Sequence, residues 1–226
     1  MPALQLPRQA DALNRWLVDP TARDLLLEAQ LAWTERGVDG GGQRWLRMLP
    51  DLAWPVPEPA ACFAESWTLA PDLGRWQGAW RADLHSLPVA SGALSRIDLR
   101  FVLESAPSPE RLVSECARAL RPEGRLLAFG LNPWSLARLR WARHGVRALP
   151  CSSMVRLLRA EGLEVVGQRF LGPRWRPSGV SLSPGPAHGA WGRVAWVVLA
   201  VRRDVGLTPL RRAPSTWRAV PGVPAA

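Results

Sequence analysis

The stretch from Ser108 to Trp141, SPERLVSECARALRPEGRLLAFGLNPWSLARLRW, constrains the fold more than any other. Ser108 suits an N-cap, Pro109 the first helical position, and Glu110 the positive end of the helix dipole. Leu112, Val113, Cys116, Ala119 and Leu120 recur at helical spacing and form one apolar stripe to lay on a sheet. Arg121-Pro122-Glu123-Gly124 then places proline second and glycine fourth, as a type I turn prefers. Leu126 to Phe129 has the apolar run of a buried strand, ended by Gly130. Asn132 reads as the N-cap of a second helix, with Pro133 at its first position and Gly145 beyond its last turn.

Other strands follow from short apolar runs. Gln43 to Leu49 reads as the first, Ala61 to Leu69 as the second and Trp76 to Ala82 as the third. Leu94 to Leu103 is the fourth by position, although Asp98 and Arg100 make it more polar than a central parallel strand should be. After a helix capped by Ser152 or Ser153 and ended by Gly162, Leu163 to Val166 begins a sixth, and Val194 to Val201 is the last. Residues 11–36 read as helix, break, helix, with Asp19 capping and Pro20 in the first turn, and Leu25, Leu26, Ala29 and Trp33 as the apolar face. Gly37 to Gly42 follows a helix, whereas phosphate-binding turns follow a strand, so it reads as a linker. Residues 172–192 read as a long surface excursion, and the tail from Arg202 onward as basic and Pro-rich.

With 226 residues, 47% hydrophobic content and 13 Trp, the chain can bury a core. Cys62, Cys116 and Cys151 are odd in number and form no CxxC pair, and there are only three His. That usage argues against a metal site and for a reduced, cytoplasmic setting. The N-terminus lacks the apolar core of a signal peptide, and the longest apolar run is too short to span a bilayer, so no membrane partner is expected. The net charge of +10 is unevenly placed. Residues 1–123 carry 13 Arg against 16 acids, and residues 124–226 carry 16 Arg against three, with no Lys anywhere. An acidic partner for the C-terminal half, whether RNA, DNA or an acidic protein, is one reading; a solvated basic face is the other.

The Ser108 stretch resembles the late αβ unit of class I S-adenosylmethionine-dependent methyltransferases of the type 11 group, whose pattern there is an LxE..RVLRPGG.L.I phrase. GLNPWSL resembles the GFNPWSL of a proteobacterial, YafS-like methyltransferase-like family, which WLVDPTARDLLLEAQ, ADLHSLP and VVLAVRRDVGLTPLR echo in order. The resemblance implies a Rossmann-like, mostly parallel, seven-stranded sheet spanning residues 44–203. An N-terminal helical segment (1–43) would precede it and a basic tail (204–226) follow it. It implies S-adenosylmethionine as cofactor and methyl transfer as activity, to an acceptor the sequence does not name.

The same resemblance places the cofactor beside Leu49, Pro50, Asp83, Leu84 and Phe101, with Asp83 accepting from the adenine amino group and the Leu84 N–H donating to the ring. The alternative for Asp83 is a turn cap. One departure stands out: no glycine lies between Gly42 and Gly74, where the family has a glycine-rich turn that lets the backbone approach the cofactor. A non-catalytic, methyltransferase-like protein is therefore a second reading. Neither Glu65 nor Asp72 is well placed for the cofactor ribose. Glu104, at the C-terminal end of a strand, is a candidate acid/base group, with a solvated loop carboxylate as the commoner expectation. Arg138, Arg140, Arg143 and Arg147, interleaved with Trp134 and Trp141, are candidates for nucleic acid or an acidic partner. Trp134, Ala137 and Trp141 are equally the spacing of a core stripe.

Overall fold

Ser108 caps the central helix as its sequence requires. Its backbone is extended (φ −140°) and its hydroxyl accepts from the Arg111 N–H at 3.5 Å, opening α3 (Pro109–Ala119). On one side of α3 in sequence lies β5 (Leu94–Arg100), all seven residues buried; on the other lies β6 (Leu120–Leu131), and the two pair in parallel. The computed structural model describes residues 6–31, 44–56, 65–72, 74–175 and 192–203. Around the β5–α3–β6 unit the described residues add β1 (Arg44–Met48), β2 (Glu65–Asp72), β3 (Arg75–Gly78), β4 (Ala82–Asp83), β7 (Leu163–Leu171) and β8 (Ala195–Arg202). They form one eight-stranded sheet in the order β4-β3-β2-β1-β5-β6-β8-β7. The centre, β2-β1-β5-β6, is parallel, and β8 inserts antiparallel between β6 and β7.

Two buried clusters lie on the two faces. Leu112, Val113 and Cys116 of α3 and Met154 and Leu158 of α5 (Cys151–Ala160) share one with Leu46, Ile97, Leu126 and Val198. Leu13 and Trp16 of α1 (Leu6–Leu17), Leu26 and Ala29 of α2 (Pro20–Leu31) and Trp141 of α4 (Arg138–Trp141) share the other with Phe101, Phe129 and Val197. Asp19 supports the entry to α2 by accepting from the Thr21 N–H at 2.9 Å. At the β6–β8 crossing, Gly130 sits opposite Trp196, and a Cβ there would lie 2.2 Å from the indole. The Trp196 Nε1–H donates to the Leu131 and Leu149 carbonyls at 3.0 and 2.9 Å, so β6 must run bare at that point.

Several expectations need correcting. The single third strand expected over Trp76 to Ala82 is two short ones, β3 and β4: Asp72 pairs with Arg75, making β2–β3 an antiparallel hairpin that continues into β4, and the sheet has eight strands rather than seven. Arg121 to Gly124 is not a type I turn but a bulge opposite Ser95, with Leu94 facing Leu120 and Arg96 facing Arg125. Its positive φ, 60°, falls on Glu123, which a type I turn does not permit. Asn132 and Pro133 do not open a helix, since α4 starts at Arg138. Gly145 (φ 79°) does end the 3-10 turn Ala142–His144 that continues it. Neither Ser152 nor Ser153 caps α5, whose N-cap is Pro150 with no side-chain bond. Trp33, Gly37 to Gly42, residues 61–64, most of the 172–192 excursion and the 204–226 tail lie outside the described residues.

Candidate functional site

In an open α/β sheet ligands bind outside the carboxyl ends of the strands. Here that edge is formed by the exits of β1, β5 and β6. β1 leaves at Leu49, whose N–H donates to the Leu69 carbonyl at 2.8 Å, and the chain turns at once through Pro50 to Ala53. Trp54 closes the turn by donating its N–H to the Asp51 carbonyl at 3.1 Å. Helix α2 then fixes this turn from above. The Arg23 guanidinium donates to Asp51 Oδ2 (3.0 Å) and the Ala53 carbonyl (3.2 Å), and lies 5.1 Å from the centre of the Trp54 ring. Gln30 accepts from Trp54 Nε1 at 2.9 Å and donates to the Pro55 carbonyl at 2.8 Å. Trp54 is 3% exposed, and its ring meets Phe101 edge-on, 6.1 Å between centroids.

Phe101 stands at the exit of β5 with φ 53°, a left-handed backbone that costs a phenylalanine roughly 1–3 kcal/mol. It is held there by its N–H, which donates to the Phe129 carbonyl at 3.1 Å, and by its ring, 5.9 Å from that of Phe129. The bend turns the chain inward, so Val102 to Ala106 are all buried. Glu104 is among them, with no exposed surface, which corrects the expectation of a solvated carboxylate. Its Oε1 accepts from the Leu131 N–H at 2.6 Å, while Oε2 is buried without a hydrogen-bond partner. Burial pushes this carboxyl up to about 7, against the opposing pull of the Leu131 N–H. Glu104 thus joins the exits of β5 and β6.

Of the residues assigned to the cofactor, Leu49 and Phe101 are brought together with Trp54 in one buried cluster. Leu84 packs into the cluster on the other face. Asp83 is exposed and caps its own turn, accepting from the His85 N–H at 2.8 Å. Asn132 plays a similar local part: Oδ1 accepts from the Trp134 N–H at 3.1 Å, and Nδ2 donates to the Arg193 carbonyl at 2.8 Å, pinning the entrance of β8 to the exit of β6. Trp141 is core, edge-on to Trp16 at 5.5 Å, but Trp134 is 66% exposed and not part of a core stripe. Arg138, Arg143 and Arg147 are exposed, and Arg140 stacks over Trp175 at 5.6 Å.

These residues do not fit S-adenosylmethionine in this conformation. A nucleoside cofactor at this edge needs a glycine turn that its backbone can approach and a free acid for the ribose. The turn here carries Pro50 and Trp54, and Asp72 accepts from Gln77.

One polar arrangement is not evident from motif reasoning. On β5, Arg96, Asp98 and Arg100 project from the same face, two residues apart, and all three are buried. Asp98 accepts from Arg96 Nε at 2.7 Å and from Arg100 Nη2 at 2.8 Å. Burial alone would raise Asp98, but the two guanidiniums hold its carboxyl below the usual range. The alternation of charge and apolar residues in LSRIDLR was its only sequence signal.

A sequence profile described as a methyltransferase domain matches residues 63–128. No curated protein matches the chain. Among solved structures, the chain is similar to a phosphoethanolamine N-methyltransferase from Haemonchus contortus, with TM-score 0.56 and 13% identity over 89% of this chain and 61% of that one. It is also similar to the [4+2]-cyclase SpnF (TM-score 0.52, 18% identity, 89% and 96% covered). A third is an S-adenosylmethionine-dependent methyltransferase from Thermotoga maritima (0.51, 15%, 88% and 98%). Likeness at such identities speaks for architecture, and a cyclase on the same scaffold shows that function is set by the site. The chain has the Rossmann-like fold of class I S-adenosylmethionine-dependent methyltransferases.

Proposed function

We propose that this is an S-adenosylmethionine-dependent methyltransferase-like protein whose cofactor place is held shut by its own Trp54. The profile match over residues 63–128 implies that cofactor, and the fold is of the matching class. One observation carries the shut state: Trp54 is buried against Phe101 and tied to α2 through Gln30 and Arg23. Each tie would have to break before a nucleoside entered beside Leu49 and Phe101. The acceptor stays unassigned, and no catalytic step is derived.

Calorimetric titration of the full chain with S-adenosylhomocysteine tests this. Displacing Trp54 draws on the binding energy, so the expected Kd is weaker than about 0.1 mM, or binding is undetectable. The second reading, a protein with no cofactor role at all, is favoured by the missing glycine turn and predicts no binding even when Trp54 is removed. Micromolar binding by the wild type, abolished by Asp83→Ala, would contradict both.

A further inference from the structure

Among the described residues, an unusual surface lies just beyond β6. Within six residues Trp134, Leu136 and Leu139 are 66, 59 and 62% exposed, a density of large apolar side chains that solvated surfaces avoid. Arg138, Arg143 and Arg147, close by in sequence, are exposed as well, and none of the three has an ion pair among the described residues. Arg140 stacks on Trp175, leaving its buried Nη1 without a hydrogen-bond partner. The sequence holds no acid between Gly124 and Ala160. Pro133, Trp134, Arg138, Trp141, Gly145 and Arg147 line a groove of about 470 Å³ in this surface, with guanidiniums on its walls and no carboxylate.

We propose that this surface docks on an anionic lipid layer, with Trp134, Leu136 and Leu139 entering the headgroup boundary and Arg138, Arg143 and Arg147 pairing with lipid phosphates. Exposed apolar residues interspersed with arginines are the composition of an interfacial contact. Tryptophan is also the side chain that settles at headgroup level. A single-stranded nucleic acid would want aromatic platforms. Two of the three exposed residues are leucines, which cannot stack on bases; the neighbouring Trp141 is buried, and Trp175, 37% exposed, already carries Arg140 over its ring. No described helix is long and apolar enough to cross a membrane, and a peripheral contact needs none. The expectation of no membrane partner rests on the lack of a spanning segment, and the proposed contact departs from it.

The test is co-sedimentation of the full chain with phosphatidylcholine vesicles, pure or with about a third phosphatidylglycerol, at low and high salt. Binding is expected on the anionic vesicles only, weakening with salt. Each guanidinium near such a surface adds about fivefold to partitioning, so Arg138→Glu with Arg147→Glu should lower it at least about 25-fold. Leu136→Ser with Leu139→Ser, which leaves the charge alone, should lower it about tenfold. Arg156→Glu with Arg159→Glu, the same charge change on α5 at the opposite face of the sheet, should leave it within about twofold. No sedimentation at low salt overturns the proposal, as does equal loss from the α5 pair, which would reduce the effect to net charge. Displacement from vesicles by polyuridylate, with the leucine variants still binding that RNA at full strength, would make the surface a nucleic-acid interface instead.

Discussion

Replacing Glu104 with glutamine should change how the protein's stability responds to pH. The folded chain raises this carboxyl from 4.5 to about 7, chiefly by burial. At 1.36 kcal/mol for each pH unit, that difference is worth about 3 kcal/mol. Below pH 4.5 the group is protonated in folded and unfolded chains alike and costs nothing. Between 4.5 and about 7 the folded chain keeps a proton that the unfolded chain releases, so stability falls as pH rises. Above about 7 the full penalty of a buried carboxylate is in place. Glutamine keeps an oxygen for the Leu131 N–H but never ionises. The stability of Glu104→Gln relative to wild type should therefore climb by about 3 kcal/mol from pH 4.5 to pH 8. Urea unfolding at steps across that range measures it, and subtracting the two curves removes groups common to both. The slope of the difference is the diagnostic, because any cost of the buried amide is the same at every pH. A difference independent of pH would refute the buried, neutral Glu104.

Asp98→Asn removes the carboxylate shared by Arg96 and Arg100 and should cost about 3–5 kcal/mol in urea unfolding at neutral pH. Because the folded carboxyl lies below its usual 3.8, its contribution is present above that pH and lost as pH falls through the folded value. A loss below about 1 kcal/mol at pH 7 would mean the ladder is not buried as described. Gly130→Ala drives a methyl into the Trp196 indole and should destabilise by about 1–3 kcal/mol, seen as a lower urea midpoint at unchanged slope.

Where local chemistry decides structure, the sequence was readable. Ser108, Pro109 and the Leu112–Cys116 stripe announce α3, and the same stripe says which face it covers. Asp19-Pro20 announces α2. The β2–β3 hairpin was readable too, because a parallel connection needs a dozen or more residues and only six separate Leu69 from Trp76. Asn132 shows the limit of cap signals, since its side chain makes the bonds of a cap while β8 claims the segment through Arg193 and no helix follows for five residues. Least legible was the site. Nothing local marks Trp54 as a wedge: its seat depends on Phe101, 47 positions later, and on Gln30, 24 earlier. The inward bend at Phe101 that buries Glu104 is likewise a tertiary outcome, set by the Phe129 carbonyl and the rings around it.

The proposed closure of the edge beside Leu49 and Phe101 rests on Trp54. Truncating a buried tryptophan costs about 3–5 kcal/mol of stability, and a ligand that must first displace it forfeits affinity by the same currency, tenfold for each 1.4 kcal/mol. The direct measurement is the affinity of Trp54→Ala for S-adenosylhomocysteine against that of the wild type, each first shown to be folded at the titration temperature. The variant should bind at least about tenfold more tightly while melting lower. Equal or weaker binding by a folded Trp54→Ala would rule out that closure, because the wedge would then be guarding nothing.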